Sequence, residues 1–318
     1  MDQSALPEKL HEYDCDLWTT KRWEGLATRD GDILICTSYK AGTTWTQNIC
    51  ALLVFQTPSF DRPLTELSPW VEVLTGPVEE MQKTYASQTH RRFIKTHTPL
   101  DGLDFLPDAQ YVYCGRDPRD VFMSMLNHIQ NMDFAVIARL REQQGLPQLA
   151  GMDAMPDDPN LLFKQWLTTG LFEWEDDGFP FWSHFNHARS YWKYRHLPNL
   201  HFLHYQDLKQ DLDGQMKRLA ALLNIEVDEA AWPQLVHAAT FDAMKEKATN
   251  LAPETNVGLW KDDSKFFNKG TSGQWQGVLS DESLAFYKNI RLKKLTPALA
   301  DWLEQGSSVF GDPKDLID

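Results

Sequence analysis

Asp32-Ile33-Leu34-Ile35-Cys36-Thr37, running into Ser38-Tyr39-Lys40-Ala41-Gly42-Thr43-Thr44-Trp45, is the stretch that decides the fold. The first six residues form a short apolar run of the kind buried on both faces of a sheet. The octet is rich in turn formers. Thr44–Gln56 then carries apolar side chains at helix-compatible spacing, and Pro58 helps to end it. At such a strand-to-helix junction, free backbone N–H groups and the positive helix terminus converge on an anion. Gly42 lets the backbone come close, Thr43 and Thr44 offer hydroxyl donors, and Lys40 brings a positive charge. The nucleotide-triphosphatase signature is absent, because Lys40 precedes Gly42 by two residues and the first glycine of that signature is missing. Taken alone, the octet is equally compatible with a capped turn.

Working outward, three more short apolar runs read as strands: Arg92–Thr96, Gln110–Gly115 and Leu200–Tyr205. A helix begins after the second of these at Asp117-Pro118-Arg119-Asp120, with an N-cap acid and a proline at the first helical position. Phe181–Tyr194 and Leu212–Leu223 also read as helices. Strands alternating with helices predict an α/β fold with a central parallel sheet flanked by helices. Thr57–Pro77 is rich in proline and is expected to loop over the surface. Asn131–Pro180 is the least regular part and Asn250–Gly277 is polar. With no repeat, low-complexity tract or linker, one domain over 1–318 is expected, its core at about 30–280 and an irregular acceptor or lid region at about 129–180.

A hydrophobic content of 42% is ample for a large core without disulfides. The net charge of −14 argues against broad nucleic-acid binding, although a few focused cations can still hold a small anion. Cys15, Cys36, Cys50 and Cys114 include no Cys-x-x-Cys pair, which fits a reducing compartment. The polar, acidic N-terminus does not read as a signal peptide, and no apolar run approaches the roughly 20 residues of a membrane span. A soluble cytoplasmic protein is the expectation.

Three further segments carry chemistry. Lys95 and His97 fall at the carboxyl end of a strand, where parallel sheets build their sites, and a histidine there suits general-base work. Arg116 occupies the next strand end, and Ser124 lies about two turns into the helix that follows. An arginine fork at that position suits a phosphate. Arg119 reads as an exposed side chain. Phe266-Phe267-Asn268-Lys269-Gly270-Thr271-Ser272-Gly273-Gln274-Trp275 is a glycine-containing loop able to wrap an anion through its N–H groups. His184/His187 and His201/His204 lack the partners of a metal site, so no metal is expected.

Together these segments resemble the cytosolic sulfotransferase family, which uses 3′-phosphoadenosine 5′-phosphosulfate (PAPS) as donor. The family's Tyr-Pro-Lys-Ser-Gly-Thr-Thr-Trp appears as Ser38–Trp45, its Lys-Thr-His-x-Pro as Lys95–Pro99, and its Arg-Asn-x-x-Asp-Val-x-x-Ser as Arg116–Ser124. Its late Arg-Lys-Gly-x-x-Gly-Asp-Trp is matched at Lys269, Gly270, Gly273 and Trp275, with Asn268 in place of the arginine and Gln274 in place of the aspartate.

The resemblance implies a P-loop-like sulfotransferase architecture. It implies that Lys40, Ala41, Gly42, Thr43 and Thr44 hold the donor's 5′-phosphate. Arg116, Ser124, Asn268, Lys269 and Gly270 would hold its 3′-phosphate, with Lys269 or Arg119 offsetting the arginine lost at position 268. Trp45, Tyr205, Thr240 and Phe241 would surround the adenine. His97 would deprotonate the acceptor, with Lys40 and Lys95 as the other catalytic residues and adenosine 3′,5′-bisphosphate (PAP) as product. The expected acceptor is a small alcohol or phenol, less readily an amine, with Trp174, Phe179, Phe181, Trp182, Phe185, Tyr191 and Trp192 available either to line its pocket or to pack the core. The family's dimer motif has no clean match near Asn250–Asp262, so a homodimer is one open outcome. The rival readings are an ATP-dependent phosphoryl transferase and a catalytically silent nucleotide-binding protein.

Overall fold

The computed structural model describes residues 6–147, 156–253, 258–267 and 270–318. Its centre is a four-stranded sheet in the order β2-β1-β3-β4, formed by β1 (Ile33–Cys36), β2 (Phe93–Thr96), β3 (Gln110–Gly115) and β4 (Leu200–His204). Every pairing is parallel, with Ile33 opposite Phe93 and Gln110, and Tyr111 opposite Leu200. All four strands therefore deliver their carboxyl ends to one edge of the sheet.

The strands alternate between two cores, as the two-residue period of a strand requires. Leu34, Cys36, Tyr111, Tyr113, Leu200 and Phe202 face one cluster, and Ile33, Ile35, Phe93, Val112, Cys114 and Leu203 face the other. The connections supply the helices that cover these faces. Helix α1 (Thr43–Phe55) follows β1, and α2 (Leu64–Leu67) and α3 (Val78–Ser87) lead to β2. After β3 come α4 (Pro118–Asn131), α5 (Phe134–Gln143), α6 (Pro159–Thr168) and α7 (His184–Trp192). After β4 come α8 (Tyr205–Gln210), α9 (Leu212–Leu222), α10 (Trp232–Ala238), α11 (Phe241–Glu246) and α12 (Ala248–Leu251). Three helices close the chain: α13 (Asp281–Lys294), α14 (Pro297–Gln305) and α15 (Ser307–Phe310).

The Asp117 side chain accepts from the Arg119 N–H, so the expected cap of α4 is present. Two expectations change. The irregular stretch contains α5 and α6, each started by an aspartate cap, Asp133 and Asp158. The segment expected on the surface turns inward at Val71 and Glu72, both fully buried. Glu72 accepts from the Thr96 and Thr98 hydroxyls and from Trp23 Nε1, which ties this connection to the end of β2. No described helix is long and apolar enough to cross a membrane.

Candidate active site

Beyond the end of β1 the chain makes a strained turn. Lys40 takes φ 68°, in the left-handed region that costs a non-glycine residue about 1–2 kcal/mol. Gly42 follows at φ 116°. A Cβ at Gly42 would lie 3.2 Å from the Tyr205 ring and 3.5 Å from Cys114 Sγ, so both conformation and space call for glycine. Gly42 is also the N-cap of α1 and has no side chain to bond the helix's first N–H groups. Those groups, with the Thr43 and Thr44 hydroxyls, are donors of the kind that hold an anion. Thr43 Oγ1 is 2.5 Å from Thr37 Oγ1, which fixes its rotamer.

The turn opens into a cavity of about 220 Å³. Lys40, Gly42, Thr43, Thr44 and Trp45 line it from β1 and α1. Lys95 and His97 enter from the end of β2, Arg116 from the end of β3, Ser124 from α4 and Tyr205 from the start of α8, just beyond β4. Phe241 and Gly270 complete the set from later segments.

His97 is buried, and its Nδ1–H donates to the Thr37 carbonyl over 2.8 Å. This leaves Nε2 as the nitrogen with a lone pair. Burial, with the nearby Lys95 and Lys40 charges, pushes its pKa down to about 3, so the ring is neutral at physiological pH. Trp70 and Tyr39 meet the ring edge-on, each at 5.2 Å between centroids. Lys95 Nζ lies 5.0 Å from the Trp70 ring centre.

Lys40 Nζ is 2.9 Å from His128 Nδ1 and 4.6 Å from the Phe266 ring centre. Burial, Arg116 and Lys95 lower its pKa to about 7. The second His128 nitrogen, Nε2, is 2.5 Å from the Tyr39 hydroxyl. Sequence reasoning missed both His128 and Tyr39. His128 falls four residues after Ser124 on α4, hence on the same helix face, and that spacing was the available signal.

Arg116 lies flat on Tyr205, its guanidinium carbon 4.0 Å from the ring centre, and Nη1 donates to the Lys40 carbonyl over 3.0 Å. Its Nε is buried with no hydrogen-bond partner among the described residues. An orphaned buried guanidinium N–H beside Ser124 fits a phosphate. Trp45 meets Tyr205 edge-on at 5.1 Å and donates Nε1–H to the Ala239 carbonyl. The carboxylate of Asp120 accepts from the Gly273 and Gln274 N–H groups at 3.0 and 3.1 Å, pinning the late loop to the start of α4.

Some expected residues stand elsewhere. Ala41 is fully buried in the core, and its N–H is bonded to the Ser38 carbonyl. Thr240 turns its hydroxyl to the His237 carbonyl and caps α11. Arg119 is not an exposed side chain: it pairs with Asp117 at 2.7 Å and Glu304 at 3.3 Å and stacks on Trp275. Its charge is already paired within the protein. Asn268 and Lys269 lie outside the described residues. His201 and His204 bond separately, through Nε2 to Gln110 Oε1 and through Nε2 to the Leu303 carbonyl.

The apolar end of the cavity draws on segments distant in sequence. Of the aromatic run, Phe181 alone lines it, stacked on Tyr39 at 4.0 Å. Trp182 supports the wall from behind, stacked on Trp18 at 3.6 Å, whereas Phe185, Tyr191 and Trp192 pack the core. Trp174 stacks on His11 and Phe172 away from the cavity. Leu17, Trp18, Trp70 and Val73 supply the rest of this wall, with Ile137 and Leu140 from α5. Opposite them stand Trp260 and Phe266, held to the end of α4 by the Asp133 N–H to Leu259 carbonyl and Lys261 N–H to Asn131 carbonyl bonds.

Comparison with known proteins agrees with this geometry. A family model described as a sulfotransferase domain matches residues 30–297. A protein of Mycobacterium tuberculosis (strain H37Ra) named glycolipid sulfotransferase is 37% identical over 299 residues, covering 90% of this chain and 91% of its own. Human sulfotransferase 2B1 is 28% identical over 293 residues, covering 88% of this chain and 71% of its own. The same fold recurs in mouse sulfotransferase SULT7A1 complexed with PAP, with a TM-score of 0.64 at 20% identity over 89% of this chain and 92% of that one. It recurs again in retinol dehydratase in a complex with retinol and PAP, with a TM-score of 0.66 at 20% identity over 88% and 87%.

Proposed function

The chain belongs to the sulfotransferase family and transfers a sulfuryl group from PAPS to a hydroxyl; on that premise we propose that the hydroxyl belongs to an apolar, lipid-like alcohol or phenol and that His97 is its general base. The observation that carries the base assignment is the hydrogen bond from His97 Nδ1 to the Thr37 carbonyl, which leaves Nε2 lone-paired in the cavity. A neutral, correctly oriented imidazole is what proton abstraction requires.

PAPS brings a sulfuryl group already joined to a phosphate leaving group. The α1 N-terminus, Thr43 and Thr44 grip the 5′-phosphate, Arg116 and Ser124 the 3′-phosphate, and Trp45, Tyr205 and Phe241 pack against the adenine. As the acceptor oxygen bonds to sulfur and the bond from sulfur to the 5′-phosphate oxygen breaks, His97 Nε2 takes the acceptor's proton. The electron pair of the broken bond stays on the phosphate oxygen, opposite Lys40. Lys95 faces the sulfuryl oxygens. Such fixed charges in a dry site are a large part of catalysis.

The apolar reading of the acceptor is supported by the aromatic and aliphatic wall around Trp18, Trp70, Phe181, Ile137 and Leu140. It is also supported by the relatives at 37% identity, which are named glycolipid sulfotransferases. The test is a homologous series of primary alkanols in a sulfuryl-transfer assay. Each added methylene buried in the cavity should raise kcat/KM roughly threefold to fourfold. A preference for short polar alcohols would overturn this acceptor assignment.

A further inference from the structure

Lys40, His128 and Tyr39 form a hydrogen-bond chain whose direction can be worked out. With the donor bound, Lys40 is an ammonium and can only donate, so His128 Nδ1, 2.9 Å from Lys40 Nζ, is the acceptor. Burial and the charges of Lys40 and Lys95 hold the His128 pKa well below its usual value, so the ring is neutral and carries its one hydrogen on Nε2. That hydrogen is donated to the Tyr39 oxygen, 2.5 Å away. The Tyr39 phenol, whose own pKa burial raises, keeps its proton. Among the described residues His128 is its only hydrogen-bond partner. The chain of donors therefore ends in an uncommitted O–H.

Where that O–H points matters. Tyr39 lines the cavity, stacked on Phe181 and edge-on to His97, with 5.2 Å between the Tyr39 and His97 ring centres. Two groups of opposite sense thus line the same cavity. His97 Nε2 accepts a hydrogen, and the Tyr39 hydroxyl donates one. Phe181 against Tyr39 and Trp70 against His97 are the apolar part of the wall beside them. An acceptor with a single hydroxyl satisfies His97 and leaves the Tyr39 donor facing hydrocarbon, which is unfavourable.

We infer that Tyr39, oriented by His128, is a specificity-determining residue that donates to a second oxygen beside the reacting hydroxyl, so that the acceptor is an amphiphile whose head is a diol or polyol. This rests on the acceptor reading above and narrows it from a lipid-like alcohol to one with an oxygen neighbouring the sulfated position. The reacting hydroxyl faces His97, the neighbouring oxygen faces Tyr39, and the tail lies along the wall of Trp18, Trp70 and Leu140.

The experiment compares a vicinal alkanediol with the alkanol of the same chain length, with an alkyl glycoside as a third probe, in a PAPS-dependent sulfuryl-transfer assay. For the unaltered protein kcat/KM should favour the diol and the glycoside by about tenfold over the alkanol, the value of one added hydrogen bond in a buried site. In Tyr39→Phe, which keeps the ring on Phe181, the ratio should fall to within about twofold of unity for the same reason. No preference in the unaltered protein overturns the inference, and that comparison needs no variant to fold. A preference that survives Tyr39→Phe overturns it as well. Failure to sulfate either series removes the acceptor assignment itself and this inference with it, an outcome distinct from equal sulfation of both.

Discussion

His97 Nδ1 and the carbonyl oxygen of Thr37 are 2.8 Å apart, a bond from the end of β2 to the end of β1. Because a carbonyl can only accept, this contact settles which imidazole nitrogen carries the hydrogen. The strand pairing of β1 with β2 therefore fixes the tautomer of the proposed base.

Removing that base should separate binding from turnover. His97→Ala is expected to lower kcat by about 10²–10⁴, the usual range for general-base catalysis. The thermal shift produced by PAP should remain, because His97 holds neither phosphate. A variant with undiminished kcat would dismiss His97 from the reaction.

Donor binding should depend on pH through Lys40. Its pKa near 7 in the donor-free protein means that binding above neutrality takes up a proton to restore the charge facing the phosphate. PAP affinity is expected to fall by up to about tenfold per pH unit above 7, since one proton is linked to one binding event. Calorimetry in buffers of different ionisation enthalpy would reveal the proton uptake. Lys40→Arg should flatten the slope; an equally steep slope in that variant would assign the proton elsewhere.

Acid should destabilise the fold early. His97 and His184 are pushed down to about 3, His201 to about 4, and His128, His187 and His204 are also lowered, burial being the main cause in each. Between pH 6.5 and those values the unfolded chain binds protons that the native chain refuses, so stability rises with pH across this window. Glu72, Glu175 and Asp177, raised by burial, act with the opposite sign above their unfolded values but are fewer. Each proton of net difference is worth about 1.4 kcal/mol per pH unit. Urea denaturation between pH 4.5 and 6.5 should show the midpoint falling as pH falls; a flat profile would contradict the neutral buried imidazoles.

The late loop should depend on Asp120. Asp120→Ala removes the acceptor of the Gly273 and Gln274 N–H groups. Hydrogen bonds to a charged group are worth about 1.5–3 kcal/mol, so PAP affinity is expected to drop by ten- to a hundredfold through loosening of the loop that carries Gly270. Arg119→Ala, which breaks the pairs with Asp117 and Glu304, should lower the melting temperature and leave PAP affinity within about twofold, because it removes no ligand group. Isothermal titration of the two variants distinguishes the roles.

Much of the donor half was legible in the sequence because its signals are local. Gln110–Gly115 is a strand as read, and Asp117 caps the next helix as its spacing required. The strand ends then bring Lys40, His97, Arg116 and Tyr205 together, which the parallel topology implies without knowledge of contacts. The apolar half was not legible. Trp18, Trp70, Ile137 and Trp260 come from four separate segments and meet only through tertiary packing. Helices α5 and α6 were hidden among Gly-Leu-Pro and Asp-Asp-Pro sequences, where breakers mask short periodic runs. The left-handed backbone of Lys40 has no signature either, since glycine is the residue that announces such a turn.

The four parallel strands end together, and residues at or just beyond each end line one cavity. The apolar wall is made instead from residues 17–18, 70–75, 131–140 and 259–266, which lie before the first strand, in connections between strands or beyond the last one. Inheritance can therefore act on the two halves at different rates. Substitutions in these wall segments are expected to change which molecule is marked with sulfate and to leave the handling of PAPS intact, so lineages sharing this sheet are free to diverge in what they modify long before they diverge in how.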